Sequence, residues 1–266
     1  MIKAFIIIVS VLIALYLLIC IVLFFSQEKL IFFPDKLSKD YQFNFSGEMK
    51  EIVIETPDRK ALNALLFKSR NANGVIFYLH GNAGSLASWG DVAKTYTDLN
   101  YDVFMPDYRG FGKSEGSITS EKQLFEDAQL AYNEVRKTYP EDRIIILGYS
   151  IGTGIAAKIA SQNHPELLVL QAPYYSLSDL VRNRYPMLPG FILKYKLQTH
   201  LYLKSCKMPV IIFHGNEDEI IDYNFSVKLQ QSMKAADTLI TLTGHGHNGI
   251  TDNPQYLREI RRILMP

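Results

Sequence analysis

The stretch richest in potential chemistry is GYSIG at residues 148–152, where a serine lies between two glycines. An apolar run at 144–147 precedes it, and a helix-prone run at 155–160 follows it. A serine hydroxyl is a weak nucleophile, and it becomes useful when a sharp strand-to-helix turn presents it to a base. The pattern therefore predicts a nucleophile elbow with Ser150 as the nucleophile.

Two later loops supply the acid and the base that such a serine needs. HGNEDE at 214–219 and TGHGHN at 243–248 each follow an apolar, strand-like run. Serine, acid and then histidine is one of the known chain orders of a hydrolytic triad. Histidine accepts a proton near neutral pH, and a buried carboxylate fixes its tautomer. We assign His247 as the base and Asp218 as the orienting acid.

Neighbouring side chains compete for two of these roles, because spacing alone does not fix the direction of a side chain. His245 lies two residues before His247. The alternatives to Asp218 are four other carboxylates: Glu217, Glu219, Asp222 and Asp179. The remaining histidines are interpreted as structural or solvated: His80, His164, His200 and His214.

A glycine-containing loop, HGNAG at 80–84, follows the strand-like run at 75–79. Acyl transfer places negative charge on a substrate oxygen, and two backbone N–H groups must already point at it. Beside the elbow, this loop predicts an oxyanion hole formed by the amide of Ile151 and that of Asn82, with Ala83 as the alternative donor. Taken alone, the loop would be read as an ordinary turn.

Together with DYRGFGKSEG at 107–116, these motifs resemble the α/β-hydrolase superfamily. More narrowly, the chain is similar to the BEM46-like branch and its ABHD13- and ABHD17-like relatives, which include membrane-associated serine hydrolases and protein depalmitoylases. The resemblance runs from roughly residue 30 to the C-terminus, and GHGH at 244–247 departs from it by doubling the histidine. It implies an α/β-hydrolase fold and serine-based hydrolysis.

The elements that must position these residues alternate along the chain. Segment 120–139 has an apolar face and Ser120 as a candidate N-cap. Segments 51–55 and 61–67 flank a short turn and predict an antiparallel hairpin. Alternation of helices with strands predicts a mostly parallel sheet with helices on both faces. The strand-like runs are 75–79, 103–106, 144–147, 167–170, 210–213 and 238–242.

Composition excludes several other functions. The 266 residues carry a net charge of +1, so no global field favours nucleic acid. The two cysteines, Cys20 and Cys206, form neither a disulfide framework nor a metal-binding pattern. GTGIAA at 152–157 begins after the elbow serine rather than at the strand end, so no dinucleotide site is predicted. We expect no cofactor and no metal.

The N-terminus predicts a membrane anchor. Residues 4–25 lack charge, and as a helix they would extend about 33 Å, enough to cross a hydrocarbon core. We predict a single transmembrane helix within residues 1–27, an aromatic-rich connector at 28–47 and a catalytic domain at 48–266. A cleaved signal peptide is the alternative, although its apolar run is normally shorter.

Charges near this helix give the predicted orientation. Lys3 and the terminal amine favour a cytoplasmic N-terminus, which places the catalytic domain on the non-cytoplasmic side. Three lysines beyond the helix oppose this orientation: Lys29, Lys36 and Lys39.

An apolar excursion at 172–208 predicts a small helical cap that covers the site and offers an acyl pocket. Ordinary helical packing against the sheet is the alternative. The segment is basic, with only Asp179 opposing Arg182, Arg184, Lys194, Lys196, Lys204 and Lys207. Contact with anionic lipid headgroups is one hypothesis for this charge, and a solvated basic face is the other.

The favoured function is a membrane-anchored serine hydrolase that cleaves a carboxylic ester or thioester of a small-molecule or lipid acyl substrate through an acyl-serine intermediate. A serine peptidase or amidase with the same triad is the first alternative. A hydrolase-like binding protein that has lost catalysis is the second. Neither alternative involves nucleic acid.

Overall fold

A computed structural model describes residues 1–265 and contains a central sheet of eight strands in the order β10-β9-β8-β7-β4-β6-β3-β2. β2 and β3 form an antiparallel hairpin, β3 is antiparallel to β6, and all other pairs are parallel. The strands of this sheet are β2 (Glu48–Glu55), β3 (Ala61–Lys68), β4 (Gly74–Leu79), β6 (Tyr101–Pro106), β7 (Ile144–Tyr149), β8 (Leu167–Gln171), β9 (Val210–Gly215) and β10 (Thr238–Leu242). The predicted mostly parallel sheet and the hairpin are confirmed.

Helices cover both faces of the sheet, as predicted. Alternate residues of β4 face opposite ways, so Val75 and Phe77 enter one hydrophobic cluster while Ile76 and Tyr78 enter another. β4, β6, β7 and β8 are buried at every position, as strands covered on both faces must be. The helices are α1 (Ile2–Ile31), α2 (Leu86–Trp89), α3 (Ala93–Thr97), α4 (Glu121–Arg136), α5 (Gly152–Gln162), α6 (Leu177–Arg184), α7 (Thr199–Leu203), α8 (Asn224–Leu229) and α9 (Pro254–Leu264).

The longest helix packed on the central sheet, α4, forms where its sequence pattern predicts. The Ser120 hydroxyl accepts a hydrogen bond from the Gln123 amide, which satisfies one of the unpaired N–H groups of the first turn. The buried apolar face consists of Leu124, Ala128, Ala131 and Val135.

The N-terminal helix α1 is the only helix among residues 1–265 that is long and apolar enough to cross a membrane. Only 6% of its most apolar window is buried, so it is not a core helix of the folded domain. The helix continues to Ile31, past the predicted end of the anchor at residue 27. The apolar segment ends near Ser26, but the first helix-breaking residue is Pro34.

The chain after α1 is hydrogen-bonded to the loop that follows β4. β1 (Phe33–Pro34) pairs in parallel with β5 (Ala83–Gly84), which lies in the predicted oxyanion loop. Farther along, Phe45 packs edge-on against Phe67 of β3, with ring centroids 5.4 Å apart. This part of the predicted connector therefore packs on the domain.

The excursion between β8 and β9 contains α6 and α7, which behave differently. α7 packs against α5, and its Leu203 is buried, as expected for ordinary packing on the sheet layer. α6 is half-buried at residues 178–181 and exposed at 182–184, and it lines a cavity at the carboxyl edge of the sheet. Ordinary packing against the sheet thus describes α7, whereas α6 lines a cavity, as expected for a cap.

Candidate active site

The predicted nucleophile sits at the turn between β7 and α5. Ser150 follows the last residue of β7 and has a φ of +52°, a left-handed conformation that costs a non-glycine residue energy. The turn is held because the Ser150 amide donates to the Gln171 carbonyl at 2.9 Å and the Thr153 amide donates to the Ser150 carbonyl at 3.0 Å. This strained turn points the hydroxyl to the carboxyl edge of the sheet.

The two glycines of the GYSIG motif are needed for close packing around this turn. A Cβ on Gly148 would lie 2.5 Å from the Gly152 carbonyl oxygen and 2.7 Å from the Ala156 Cβ. A Cβ on Gly152 would overlap the Leu79 carbonyl oxygen. Any larger residue at either position would therefore push the elbow away from β4 or α5.

The three residues assigned from the sequence converge in one hydrogen-bonded chain. The Ser150 Oγ lies 3.0 Å from the His247 Nε2, and the His247 Nδ1 lies 2.7 Å from the Asp218 Oδ2. A carboxylate can only accept, so Nδ1 carries the proton and Nε2 is free to accept from the serine hydroxyl. All three side chains are nearly buried. The arrangement has the geometry of a nucleophile, a base and an orienting acid.

Asp218 is held in its charged form by its surroundings. The amides of Ile220 and Ile221 donate to its Oδ1 at 2.9 and 2.7 Å, and His214 and His247 both contact its Oδ2. Burial alone would raise the pKa of Asp218, but these hydrogen bonds and the nearby His247 hold that pKa well below the usual aspartate range. The carboxylate therefore stays ionised at neutral pH.

His214, interpreted from the sequence as structural or solvated, contributes directly to this arrangement. Its Nε2 lies 3.1 Å from the Asp218 Oδ2 and 2.9 Å from the Ile221 carbonyl, and both of these groups are acceptors. Nε2 must then carry the proton, which leaves Nδ1 to accept from the Ser226 hydroxyl at 2.6 Å. Its place in β9, four residues before Asp218, was the available signal, but the sequence could not show its donor role.

The competing residues lie elsewhere. Among residues 1–265, His245 makes no hydrogen bond with Ser150 or Asp218, and its buried Nε2 has no partner. Asp179 pairs with the Ser176 hydroxyl and the Lys228 ammonium. The other three acids are exposed: Glu217, Glu219 and Asp222.

The residues predicted to form the oxyanion hole surround the serine. Asn82, Ala83 and Ile151 line the same cavity as Ser150. Within residues 1–265, the backbone amides of Asn82 and Ile151 donate to no other group, so both remain available to a substrate oxygen. The Asn82 side chain is occupied, because its Nδ2 donates to the Ile31 carbonyl at 2.8 Å.

Residues of the DYRGFG run hydrogen-bond to the predicted oxyanion loop and to the start of α2. The Tyr108 hydroxyl donates to the His80 carbonyl at 2.9 Å, and the Asp107 carboxylate accepts from the Leu86 amide at 3.1 Å. His80 is fully buried against the Tyr108 ring, with centroids 4.4 Å apart. The run that the sequence identified as a tight loop therefore also fixes the loop that carries Asn82.

A cavity of about 780 Å³ leads to the serine. Its walls come from the end of α1, the oxyanion loop, α6 and the loop after β9. The apolar part of the wall consists of Leu30, Ile31, Leu177, Leu180, Val181, Ile220, Ile221 and Phe225. In the described part of the chain, no cluster of three or more His, Cys, Asp or Glu side chains could hold a metal ion.

Relatives of known sequence match most of the chain. Residues 70–204 match the family Hydrolase_4, described as "Serine aminopeptidase, S33". An uncharacterized protein of Acanthamoeba polyphaga mimivirus is 30% identical in an alignment 231 positions long, which covers 77% of this chain and 78% of that protein. An uncharacterized Mycobacterium tuberculosis protein is 29% identical in an alignment 249 positions long, which covers 90% of this chain and 87% of that protein.

Solved structures with similar folds include two esterases. A Pyrococcus furiosus esterase has a TM-score of 0.70 at 20% identity, over 88% of this chain and 97% of that one. Acetyl xylan esterase 1 from Thermoanaerobacterium has a TM-score of 0.66 at 16% identity, over 86% and 87%. The strand order and the helices on both faces of the sheet fit an α/β-hydrolase fold, and the family match agrees with this fold. The chain therefore belongs to the Hydrolase_4 family of hydrolases within the α/β-hydrolase superfamily.

Proposed function

We propose that the protein is a membrane-anchored serine hydrolase that cleaves a carboxylic ester or thioester through a covalent acyl-serine intermediate. The observation that carries this proposal is the continuous hydrogen-bonded chain from the Ser150 hydroxyl through His247 to Asp218. Nucleophile, base and orienter lie within hydrogen-bond reach, and two unpaired backbone amides lie beside them.

In the first half of the reaction, the Ser150 Oγ attacks the substrate carbonyl carbon while the His247 Nε2 takes the hydroxyl proton. The carbonyl oxygen becomes negative and accepts from the amides of Ile151 and Asn82. Asp218 stabilises the imidazolium. Collapse of the tetrahedral intermediate breaks the bond to the leaving alcohol or thiol, which receives the proton from His247.

In the second half, a water molecule replaces the leaving group. His247 takes a proton from this water as it attacks the acyl carbon, and the same amides stabilise the second tetrahedral intermediate. Cleavage of the bond to the Ser150 Oγ releases the carboxylic acid, and His247 returns the proton to the serine. The cycle consumes one water and regenerates the enzyme.

An acyl substrate fits the cavity because its wall is largely apolar. Leucine, isoleucine, valine and phenylalanine side chains from α1, α6, α8 and the loop after β9 surround the approach to Ser150. Burial of an acyl chain against these side chains would provide binding energy of about 0.8 kcal/mol per methylene. The similar folds described as esterases agree with this preference.

A second candidate is an aminopeptidase or amidase that uses the same triad. The family description supports it, and Glu219 and Asp222 at the cavity rim could attract a substrate amino group. Comparing p-nitrophenyl acyl esters with aminoacyl anilides distinguishes the two. A higher kcat/KM for the anilides would favour the aminopeptidase.

Membrane anchoring by α1, with the catalytic domain on the non-cytoplasmic side, completes the proposal. The helix is uncharged over residues 4–25 and mostly exposed in the folded chain. Such an anchor would give the enzyme access to lipid acyl substrates as well as small molecules, as the resemblance to the BEM46-like branch suggests. Protease accessibility of the domain in sealed vesicles tests the orientation.

The decisive test compares Ser150→Ala with Ser161→Ala, a matched change on α5 outside the cavity. We expect Ser150→Ala to lower kcat by a factor on the order of a thousand or more while the protein remains folded. It should also abolish labelling by a fluorophosphonate. Ser161→Ala should retain both. Full activity in Ser150→Ala would contradict the mechanism, and failure of the parent protein to react would favour a non-catalytic binding protein.

A further inference from the structure

The C-terminal end of α1 is docked on the catalytic domain. Gln27 is buried, and its side chain donates to the Ile192 carbonyl and accepts from the Lys194 amide, both at 2.8 Å. The next residue, Glu28, accepts from the Lys194 ammonium at 2.9 Å and from the Tyr195 hydroxyl at 3.0 Å. The helix therefore meets the domain through the segment that follows α6.

A second contact fixes how this segment lies along the helix. The Tyr16 hydroxyl donates to the Met187 carbonyl at 2.8 Å. Tyr16 is about 22 Å from the end of α1 at Ile31, at 1.5 Å per residue. The loop at 185–192 thus lies alongside α1, with Ile192 near Gln27 and Met187 near Tyr16 in the most apolar part of the helix.

The composition of this loop suits an apolar environment. Its sequence, YPMLPGFI, contains no charge, and Phe191 and Met187 are 87% and 79% exposed. Exposed large apolar side chains that form a contiguous patch mark a contact surface. The charged residues that flank the loop are basic on both sides: Arg182, Arg184, Lys196 and Lys194, the last of which is paired with Glu28. An apolar tip between basic residues is suited to a bilayer, in which the tip contacts hydrocarbon and the basic side chains contact lipid phosphates at the interface.

We propose that loop 185–192 is a bilayer-contact surface of the catalytic domain, inserted into the same leaflet that α1 enters. The proposal rests on the membrane anchoring proposed above. A lipid bilayer is the occupant that the contacts favour, because the loop is continuous with a helix that is itself suited to hydrocarbon.

The active-site cavity lies next to this surface. Its lining includes Leu30 and Ile31 of α1 together with Val181, Arg184 and Tyr185 at and just after the end of α6. Tyr185 begins the proposed membrane loop. The passage to Ser150 therefore starts at the level of the headgroups, where the ester or thioester of a membrane lipid or lipid-modified molecule lies. Substrate would enter from the leaflet, between α1 and α6.

Lipid-borne quenchers test the surface in the full-length protein in vesicles. An environment-sensitive fluorophore is placed at Phe191→Cys, at Leu12→Cys within α1, or at Val53→Cys on the edge strand β2, in a chain whose native cysteines are replaced by alanine. We expect vesicles of mixed phosphatidylcholine and phosphatidylserine that contain doxyl lipids to quench positions 191 and 12 but not 53.

The outcomes separate this inference from the anchoring itself. Quenching at position 12 without quenching at 191 would overturn the membrane loop and leave the anchor intact. Absence of quenching at both positions would overturn both. The fluorophore at position 191 could instead be shielded from water to an extent that rises with protein concentration, without quenching by doxyl lipids. That result would identify a second copy of the chain as the occupant and overturn the bilayer assignment.

Activity provides a second readout that does not depend on labelling. In the full-length protein, Phe191→Asp combined with Met187→Asp should lower the hydrolysis of a long-chain ester held in vesicles by about tenfold, as expected when a large apolar side chain leaves an apolar environment. Hydrolysis of soluble p-nitrophenyl butyrate should not change, because neither residue lines the cavity. The control is Val53→Asp. Equal rates on vesicle-held ester for parent and double variant would overturn the proposal.

Discussion

The proposed catalytic centre and the proposed entrance to it are built in opposite ways. At the centre, Ser150, Asp218 and His247 are nearly buried, and the polar atoms of the relay are paired. At the entrance, apolar side chains such as Phe191 face outward, and contacts between segments 165 residues apart hold the wall together. In the proposed mechanism, the sheet positions the reacting groups, while the docked end of α1 forms part of the cavity wall. Substitutions should therefore separate the two.

The largest effect is expected at the centre. Asp218→Asn leaves the shape unchanged but removes the acceptor that fixes the His247 tautomer, so kcat should fall by about 10³ to 10⁴. Steady-state kinetics with p-nitrophenyl butyrate measures the loss. Asp179→Asn is the matched control and should retain activity, because Asp179 pairs with Ser176 and Lys228 instead. Similar losses in both variants would mean that the orienting acid has been misassigned.

A smaller loss is expected when the support of the acid is removed. His214→Leu deletes a donor to Asp218 and should lower kcat by about tenfold to a hundredfold, by analogy with the loss seen when the hydrogen-bond partner of a metal-binding side chain is removed. His214→Gln keeps an N–H near the same place and should recover most of the activity. If leucine and glutamine are equally harmful at this position, His214 acts through packing alone.

A change at the entrance should leave the chemistry intact. Gln27→Ala removes two hydrogen bonds between α1 and the segment after α6, with a local cost of about 1–3 kcal/mol. Hydrogen exchange at the Lys194 amide should accelerate, while hydrolysis of soluble esters stays at the parent level. A large loss of soluble-ester activity would show that centre and entrance are not separable.

The smallest effect concerns the acid dependence of stability. The pKa of Asp218 is lowered in the folded protein, so its carboxylate stabilises the fold above the unfolded value near pH 4, and this contribution is lost as the pH falls below it. One such proton changes the free energy of unfolding by at most about 1.4 kcal/mol per pH unit. Urea unfolding followed by Trp89 fluorescence in detergent should show a shallower acid dependence for Asp218→Asn than for the parent.

The positions of Ser150, Asp218 and His247 could be predicted from the sequence because each residue follows a strand. β7, β9 and β10 are parallel members of one sheet, and their carboxyl ends meet at one edge. Residues placed just after those strands must therefore come close together. Their catalytic roles remain predictions until the variants are measured, as do the anchor, connector and domain boundaries.

The contacts at the entrance could not be predicted from the sequence in the same way. Gln27 and Glu28 resemble the ordinary polar end of an apolar helix, and nothing in their types indicates partners in the segment after α6. His214 was ambiguous for a related reason, because a buried histidine serves packing or hydrogen bonding equally well until its neighbours are known. Long-range contacts decide both cases, and local patterns do not encode them.

The short pairing of β1 with β5 has a practical consequence for anyone who shortens this protein to make it soluble. The Phe33 amide donates to the carbonyl of Asn82, and the Asp35 amide donates to that of Gly84. Cutting the chain after Asp35 would remove both donor amides and leave two carbonyl oxygens of the predicted oxyanion loop without their partners. A truncation intended only to remove the apolar helix would therefore also perturb the loop that carries Asn82.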